Sequence, residues 1–329
     1  MKSPVLLTAL ATVSLGISPH TLAQSAPDTV QASDLVNLFE TLSGPQPGHR
    51  KAHARGVCAS GRLVPSQSEA FAGAPILSSA ELPVSLRFSI GGGNPQADER
   101  VPGTRGMGMR VALPDGSYHT LAGNNFPVLA GKTPEIFFGF MSTLLPDETG
   151  QRDPEKTAAY IKAHPSTWAN AAWQQQVKTA ASYANTEYFG LHTFYYNGEG
   201  AEQVKFRWQL VPELGVETLD NEQAQAKTPA FLEETLARQL KQGEVSFTIQ
   251  AIIGESTDDD VDPSVQWPPE RRKVKLATVY LEESGDDDCT MINFDPTALS
   301  AGFSPSADPF LRMRSTAYAI SFGKRLSGQ

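Results

Sequence analysis

The chain has 329 residues, of which 40% are hydrophobic and 19% charged, enough to enclose a substantial core in one large domain or two ordinary ones. Its formal net charge of -9 argues against nucleic acid as a partner, because phosphate binding needs a basic surface. The composition is globular, and after the leading segment there is no apolar run of about 18 residues that could span a bilayer.

The first 23 residues have the layout of a secretory signal: Lys2, an apolar run from Val5 to Ile17, and Thr21-Leu22-Ala23 before Gln24. Its removal would leave residues 24–329 as the folded domain in a periplasmic or secreted protein. One basic residue goes with it, so 26 of the 27 remain against 36 acidic residues, for a net charge of -10. Export permits a disulfide between Cys58 and Cys289 without requiring one. Two small buried residues on separate strands are the preferred reading.

Ser33 is a candidate cap for a helix whose Leu35, Leu38, Phe39 and Leu42 follow helical spacing, ended by Gly44-Pro45. Extended runs follow at Val57–Leu63, Val84–Ile90, Met107–Leu113 and Ser117–Leu121, the last two joined across Pro114-Asp115-Gly116. Asn125 to Pro134 breaks the pattern. Asp153-Pro154 opens a helical insert that Pro165 interrupts and that resumes through Trp168 and Trp173 toward Ala181. Strands return at Leu191–Tyr196 and Val204–Leu210 about an Asn197-Gly198-Glu199-Gly200 turn. Thr228-Pro229 opens a helix bearing Leu232, Leu236 and Leu240, closed by Gly243. Val245–Ile252 and Val274–Leu281 bring the strands to eight, which predicts an α+β fold built on a closed eight-stranded antiparallel β-barrel with helical insertions. The acidic runs Asp258–Asp260 and Asp286–Asp288 lack the alternating ligand spacing of a calcium loop and read as solvated loops.

Three stretches carry chemistry. In Arg312-Met313-Arg314-Ser315-Thr316-Ala317-Tyr318, Arg314 and Tyr318 share a helical face. A cation beside a phenol favours the phenolate, a hard metal ligand, although the same spacing occurs as a stacked pair on ordinary helix surfaces. Gly48 to Gly56 holds His49, Arg50, Lys51, His53 and Arg55 just before the first strand; a lone histidine there is more often structural than catalytic. On the strand Pro83–Ser89, Arg87 and Ser89 face the same side, and Gly123-Asn124-Asn125-Phe126-Pro127 and Phe137 follow.

Together with Arg105-Gly106 to Val111, Gly190-Leu191-His192-Thr193-Phe194, Asp262 to Pro268, Phe294-Asp295-Pro296 to Pro305 and Arg314 to Arg325, these segments keep the order they have in haem catalases. Across nearly the whole mature length the chain most resembles their shorter relatives, the catalase-related peroxidases. The resemblance implies a haem b cofactor with Tyr318, as phenolate, ligating iron and Arg314 as its charge partner. It implies His53 as the distal acid-base residue, Ser89 as the hydroxyl orienting its ring, and Asn124 as the amide positioning peroxide. Arg50, Arg87 and Arg325 match the arginines that hold haem propionates, and Phe137 matches a ring on the distal side.

Three departures bear on the reaction. The chain ends at Gln329, soon after the ligand helix, so the C-terminal region and most of the nicotinamide-nucleotide site of larger catalases are missing, and no nicotinamide cofactor is expected. Two valines of the family's peroxide channel are replaced by Ala52 and Gly91, which predicts a wider route to iron. A channel carboxylate is missing from Val101-Pro102-Gly103-Thr104. These changes favour peroxidase action on hydrogen peroxide and organic hydroperoxides, with an unknown external donor, over dismutation. Two other readings are a haem or lipid carrier barrel, which would have no use for His53, Ser89 and Asn124, and a fatty-acid hydroperoxide isomerase using the same residues. A monomer or homodimer is expected.

Overall fold

The structure, a computed structural model, describes residues 29–78, 80–198 and 202–328. The expected signal lies outside the described residues, as do Glu199 and Gly200 of the expected turn. The strands are β1 (Gly56–Pro65), β2 (Leu82–Ile90), β3 (Arg105–Ala112), β4 (Tyr118–Asn124), β5 (Thr179–Ala180), β6 (Tyr188–Phe189), β7 (Phe194–Tyr196), β8 (Val204–Pro212), β9 (Thr218–Leu219), β10 (Val245–Ile253), β11 (Lys273–Ser284) and β12 (Phe303–Pro305). The helices are α1 (Ala32–Ser43), α2 (Pro134–Ser142), α3 (Pro154–Ala163), α4 (Trp168–Gln176), α5 (Asn221–Gln225), α6 (Phe231–Gln242) and α7 (Pro309–Leu326).

Eight strands close into an antiparallel ring in the order β10-β11-β1-β2-β3-β4-β6-β8, because β8 also pairs with β10. The expected strand over Leu191–Tyr196 is interrupted. Phe189 pairs with Gln209 and Phe194 with Phe206, so residues 190–193 oppose only two residues of β8. That bulge re-aims His192, whose Nδ1 lies 2.6 Å from Asp308 Oδ2 in the interior.

Strict alternation divides the barrel wall. Val84, Leu86 and Phe88 of β2 and Met107, Met109 and Val111 of β3 are buried in the central core, where Phe88 meets Tyr183, Tyr188 and Phe247 at 5.5, 5.7 and 6.1 Å between ring centroids. Side chains fill the barrel. A cavity of about 20 Å³ beside His119 and Thr120 has room for little more than one water. The alternate residues Arg87, Ser89, Gly106 and Gly108 face the other way, toward His53 and the segment before α7 that carries Phe294.

Local capping differs from expectation in two places. Gln31, not Ser33, begins α1, and its backbone N–H donates to Asp34 Oδ2 at 2.8 Å. Thr228 does not cap α6; buried Glu99, 133 residues away in sequence, accepts the Leu232 N–H at 2.6 Å. Asp153 caps α3 as its sequence suggests, through the N–H groups of Glu155 and Lys156. α4 stops at Gln176, short of Ala181, because Thr179–Ala180 pairs with Thr218–Leu219. The preferred reading of the cysteines is overturned: Cys58 and Cys289 form a disulfide, joining β1 to the loop after β11.

Candidate active site

The outward face of the barrel wall carries two parallel rows of residues, one step apart along the strands. One row runs Gly56, Ser89, Gly106, Asn124 across β1 to β4, and the next runs Cys58, Arg87, Gly108, Ala122. The glycines matter because β3 must leave room. A Cβ on Gly106 would lie 2.6 Å from the His53 ring and 2.8 Å from Ser89 Oγ, and one on Gly108 would lie 2.7 Å from Phe294. This Gly-x-Gly within a strand is a functional signal that the residue-by-residue reading left without a role.

His53 sits three residues before β1 at φ 55°, the only left-handed non-glycine backbone among the described residues. The conformation is held by Arg87, whose Nη1 donates to the His53 carbonyl at 2.8 Å and whose Nη2 donates to the Ala54 carbonyl at 2.9 Å. The His53 Nδ1 lies 3.0 Å from Ser89 Oγ, which lies 3.4 Å from the Gly106 carbonyl. With the serine O–H directed to that carbonyl, its oxygen accepts from Nδ1–H, which leaves Nε2 as the unprotonated nitrogen. Burial, then the charges of Arg87, Arg314 and Arg50, push the His53 pKa down to about 4, so the ring is neutral near pH 7.

Asn124 ends β4 and Asn125 follows it, and the two behave differently. Asn125 is structural: its Oδ1 accepts the Arg105 N–H at 2.8 Å and its Nδ2 donates to the Gly103 carbonyl at 3.2 Å. Asn124, on the Ser89 row, makes no side-chain hydrogen bond among the described residues. Its amide is therefore available to a bound molecule.

Facing this wall is α7, with Arg314 Nη2 donating to the Tyr318 hydroxyl at 2.8 Å. Tyr318 packs against Cys58, Cys289, Ile292 and Phe294. Arg50 Nη2 donates to the carbonyls of Thr290 and Ile292 at 3.1 and 2.9 Å. Burial and the neighbouring Arg87 and Arg325 hold the Arg50 pKa down to about 9, while Tyr318 opposes the shift; burial likewise lowers Arg87 to about 10. Among the described residues no carboxylate pairs with Arg50, Arg87, Arg314 or Arg325. Arg325 is 8% exposed, and its Nε and Nη2 are buried without a hydrogen-bond partner. Phe137, on α2, meets Phe39 and Phe310 edge-on at 6.4 and 5.1 Å, forming an aromatic rim.

The nine residues singled out in the sequence thus fall on the barrel wall, the loop before it, α2 and α7. Buried guanidiniums that no protein anion neutralises, with orphaned donors on Arg325, fit a cofactor bearing carboxylates. A phenol beside Arg314 fits an anionic metal ligand.

A family model described as Catalase matches residues 17–329. The chain belongs to the catalase family. Catalase-family membership implies a haem cofactor, which the guanidinium cluster and Tyr318 suit. A Catalase-related peroxidase of Synechococcus elongatus is 34% identical over 328 residues, 98% of this chain and 96% of that relative. One from Mycolicibacterium paratuberculosis is 34% identical over 87% of this chain and 92% of its own length. A Catalase of Alkalihalophilus pseudofirmus is 30% identical, and the chain covers 44% of it. Among solved structures, a fungal catalase superposes with a TM-score of 0.76 at 20% identity, over 97% of this chain and 66% of that one. Catalase A from Saccharomyces cerevisiae gives 0.76 at 18% identity, over 97% and 68%. These two share the fold, and the chain spans about two thirds of their length.

Two departures from the catalase pattern take a different form in three dimensions. A Cβ on Gly91 would lie 2.8 Å from Thr104 Cβ, so Thr104 fills the space there and Gly91 opens no void. The expected widening rests on Ala52. The carboxylate nearest before Arg105 is Glu99, which turns away to Arg55 at 3.1 Å and to the start of α6.

Proposed function

We propose that this catalase-family chain is a haem b peroxidase that reduces hydrogen peroxide and organic hydroperoxides at the expense of an external electron donor, and that it acts outside the cytoplasm. The observation that carries the reading is a neutral His53, bonded to Ser89, with an uncommitted Asn124 amide on the Ser89 row of the barrel wall, the wall against whose Cys58 cluster Tyr318 of the Arg314–Tyr318 pair packs. A carrier would need the guanidiniums and the phenol but not the first two groups. The full-length likeness to chains named catalase-related peroxidases supports the same reaction class. The Cys58–Cys289 disulfide supports export to an oxidising compartment.

Arg50, Arg87 and Arg325 would hold the cofactor's carboxylates, Tyr318 would ligate its metal, and Phe137 would pack on the distal side. Bound haem supplies the redox chemistry by which a peroxide takes up two electrons and two protons, giving water and an alcohol, or two waters. The chain's own residues manage position and protons. Asn124 donates a fixed hydrogen bond to a peroxide oxygen, needing no reorganisation as charge develops. His53 Nε2 accepts the proton from one peroxide oxygen and returns it to the other, so one imidazole serves as base and then as acid. Ser89 keeps that nitrogen aimed outward by accepting from Nδ1–H. Ala52, in place of a larger side chain beside His53, leaves room for an alkyl group on the peroxide.

Steady-state rates on the purified haem-loaded protein test the reading. Donor oxidation should exceed oxygen release at each peroxide concentration; faster oxygen release throughout would sink peroxidase action as the main activity. His53→Ala should keep the haem absorption band but lower peroxidase kcat/KM by about 10²- to 10⁴-fold.

A further inference from the structure

The first part of the segment between β11 and α7 is tied to the barrel beside the candidate cofactor site through Gly285, Cys289 and Phe294. The Gly285 N–H donates to the Cys58 carbonyl at 3.0 Å, Cys289 is bonded to Cys58, and Phe294 covers Gly108. Cys58 stands directly opposite Arg87 in the β1–β2 register, so the covalent tie lies in the same row as a guanidinium of the cluster. Arg50 depends on this loop for the hydrogen bonds that its side chain makes: Nη2 approaches the carbonyls of Cys289, Thr290 and Ile292 at 3.5, 3.1 and 2.9 Å. Its guanidinium carbon also lies 6.0 Å from the Phe294 ring centre. Tyr318 leans on the same four residues, Cys58, Cys289, Ile292 and Phe294.

We infer that the Cys58–Cys289 disulfide is a positioning element of the cofactor site, fixing the loop whose carbonyls aim Arg50 and whose apolar side chains support Tyr318. The inference rests on the haem reading above and adds to it a specific dependence of cofactor retention on an intact cross-link. Arg50 offers five donors on one planar fork, so carbonyls that hold one side of the fork set the direction of the rest. A free loop would sample many arrangements of those carbonyls, and binding a cofactor carboxylate would then have to order the loop as well. With the cross-link in place that ordering is complete before binding. The exposed run Asp286 to Asp288 makes the cross-link more important. Three carboxylates at the base of the loop favour solvent, and in the stretch from Gly285 to Phe294 the bonds to Cys58 and the Phe294–Gly108 contact hold it to the wall.

The test measures haem dissociation from holoprotein, by transfer to an excess of a haem-scavenging apoprotein, with the absorption spectrum recorded before transfer. Cys58→Ser/Cys289→Ser should release haem about tenfold faster or more, as supporting partners of cofactor ligands generally do, while far-ultraviolet circular dichroism is unchanged. Arg50→Lys should give a similar increase. Combining the three substitutions should give little beyond either alone, because cross-link and guanidinium act through one contact. Haem release unaltered by loss of the cross-link overturns the proposal, and so do effects that multiply in the combined variant, since those describe a general stabiliser. Should the serine variant fail to fold, wild-type holoprotein treated with a phosphine reductant supplies the same comparison: haem lost faster on reduction supports the proposal, and haem held equally by both forms defeats it. Wild-type protein that takes up no haem would defeat the functional reading and this inference together.

Discussion

At the scale of single residues, the site turns on which nitrogen of His53 carries a proton. The Ser89 hydroxyl is the device that decides it, because Oγ lies between Nδ1 at 3.0 Å and the Gly106 carbonyl at 3.4 Å. Replacing Ser89 by Ala should leave haem affinity unchanged and lower peroxidase kcat/KM by about tenfold to a hundredfold, as loss of an orienting partner does elsewhere. Unchanged kcat/KM in Ser89→Ala would remove the hydroxyl from the mechanism. The residues of this pair were legible in the sequence through their resemblance to a family, and strand alternation alone put Ser89 on the face of Arg87. Nothing in the sequence showed Arg87 holding the His53 and Ala54 carbonyls. A positive φ at a histidine is paid for by contacts that only the folded chain brings together. The contrast between Asn124 and Asn125 was likewise invisible, since it depends on Arg105 and Gly103 reaching one amide and not the other.

At the scale of elements, strands were read well where alternation was strict and poorly where a strand was broken. Seven of the eight barrel strands follow from period-two patterning; the eighth, β6, is only Tyr188–Phe189, and the expected strand over Leu191–Tyr196 survives as β7, outside the ring, after the bulge that places His192 against Asp308. Helix α2 was not foreseen: it follows a run of breakers, and Thr133 with Pro134 starts it only once the chain has left the barrel. Gly91 misled for a related reason, because the space beside it belongs to Thr104, thirteen residues on. Helix α6 gives the plainest case of long-range control. Its amphipathic pattern was readable, but its cap is Glu99, which is 1% exposed and also pairs with Arg55, two residues from His53. Glu99→Ala should lower the free energy of unfolding by about 2 to 4 kcal/mol, combining a lost cap with a guanidinium deprived of its partner. Urea titration followed by circular dichroism measures this; a loss well under 1 kcal/mol would mean that α6 docks without the carboxylate.

At the scale of the whole molecule, three histidines sit in the barrel wall or against it: His119 and His192, both buried, and the half-buried His53. All three have pKa values pushed down, mainly by burial, to about 4 for His53 and about 3 for His119. His119 Nδ1 accepts the Ser300 backbone N–H at 3.2 Å, a bond that a protonated ring could not keep. In the unfolded chain each ring titrates near pH ~6.5. The unfolded state therefore binds more protons than the native state between that value and the depressed native one. Stability from these groups is fully present above about pH 6.5 and falls as the pH drops toward 4. Between about pH 7 and 5.5 each should cost about 1 kcal/mol, so His53 and His119 together weaken the fold by about 2 to 3 kcal/mol. Carboxylates do not counterfeit the effect: those with lowered pKa values, such as Asp98 at about 2, remain ionised throughout that window, and Glu99 and Glu187, raised by burial, act with the opposite sign. His119→Asn preserves an acceptor for the Ser300 N–H and removes one titrating ring far from the catalytic residues. The variant should lose about 1 kcal/mol less than wild type over the same interval, read as the change in urea midpoint at the two pH values. Parallel losses in the two proteins would mean that His119 is not held neutral by the fold.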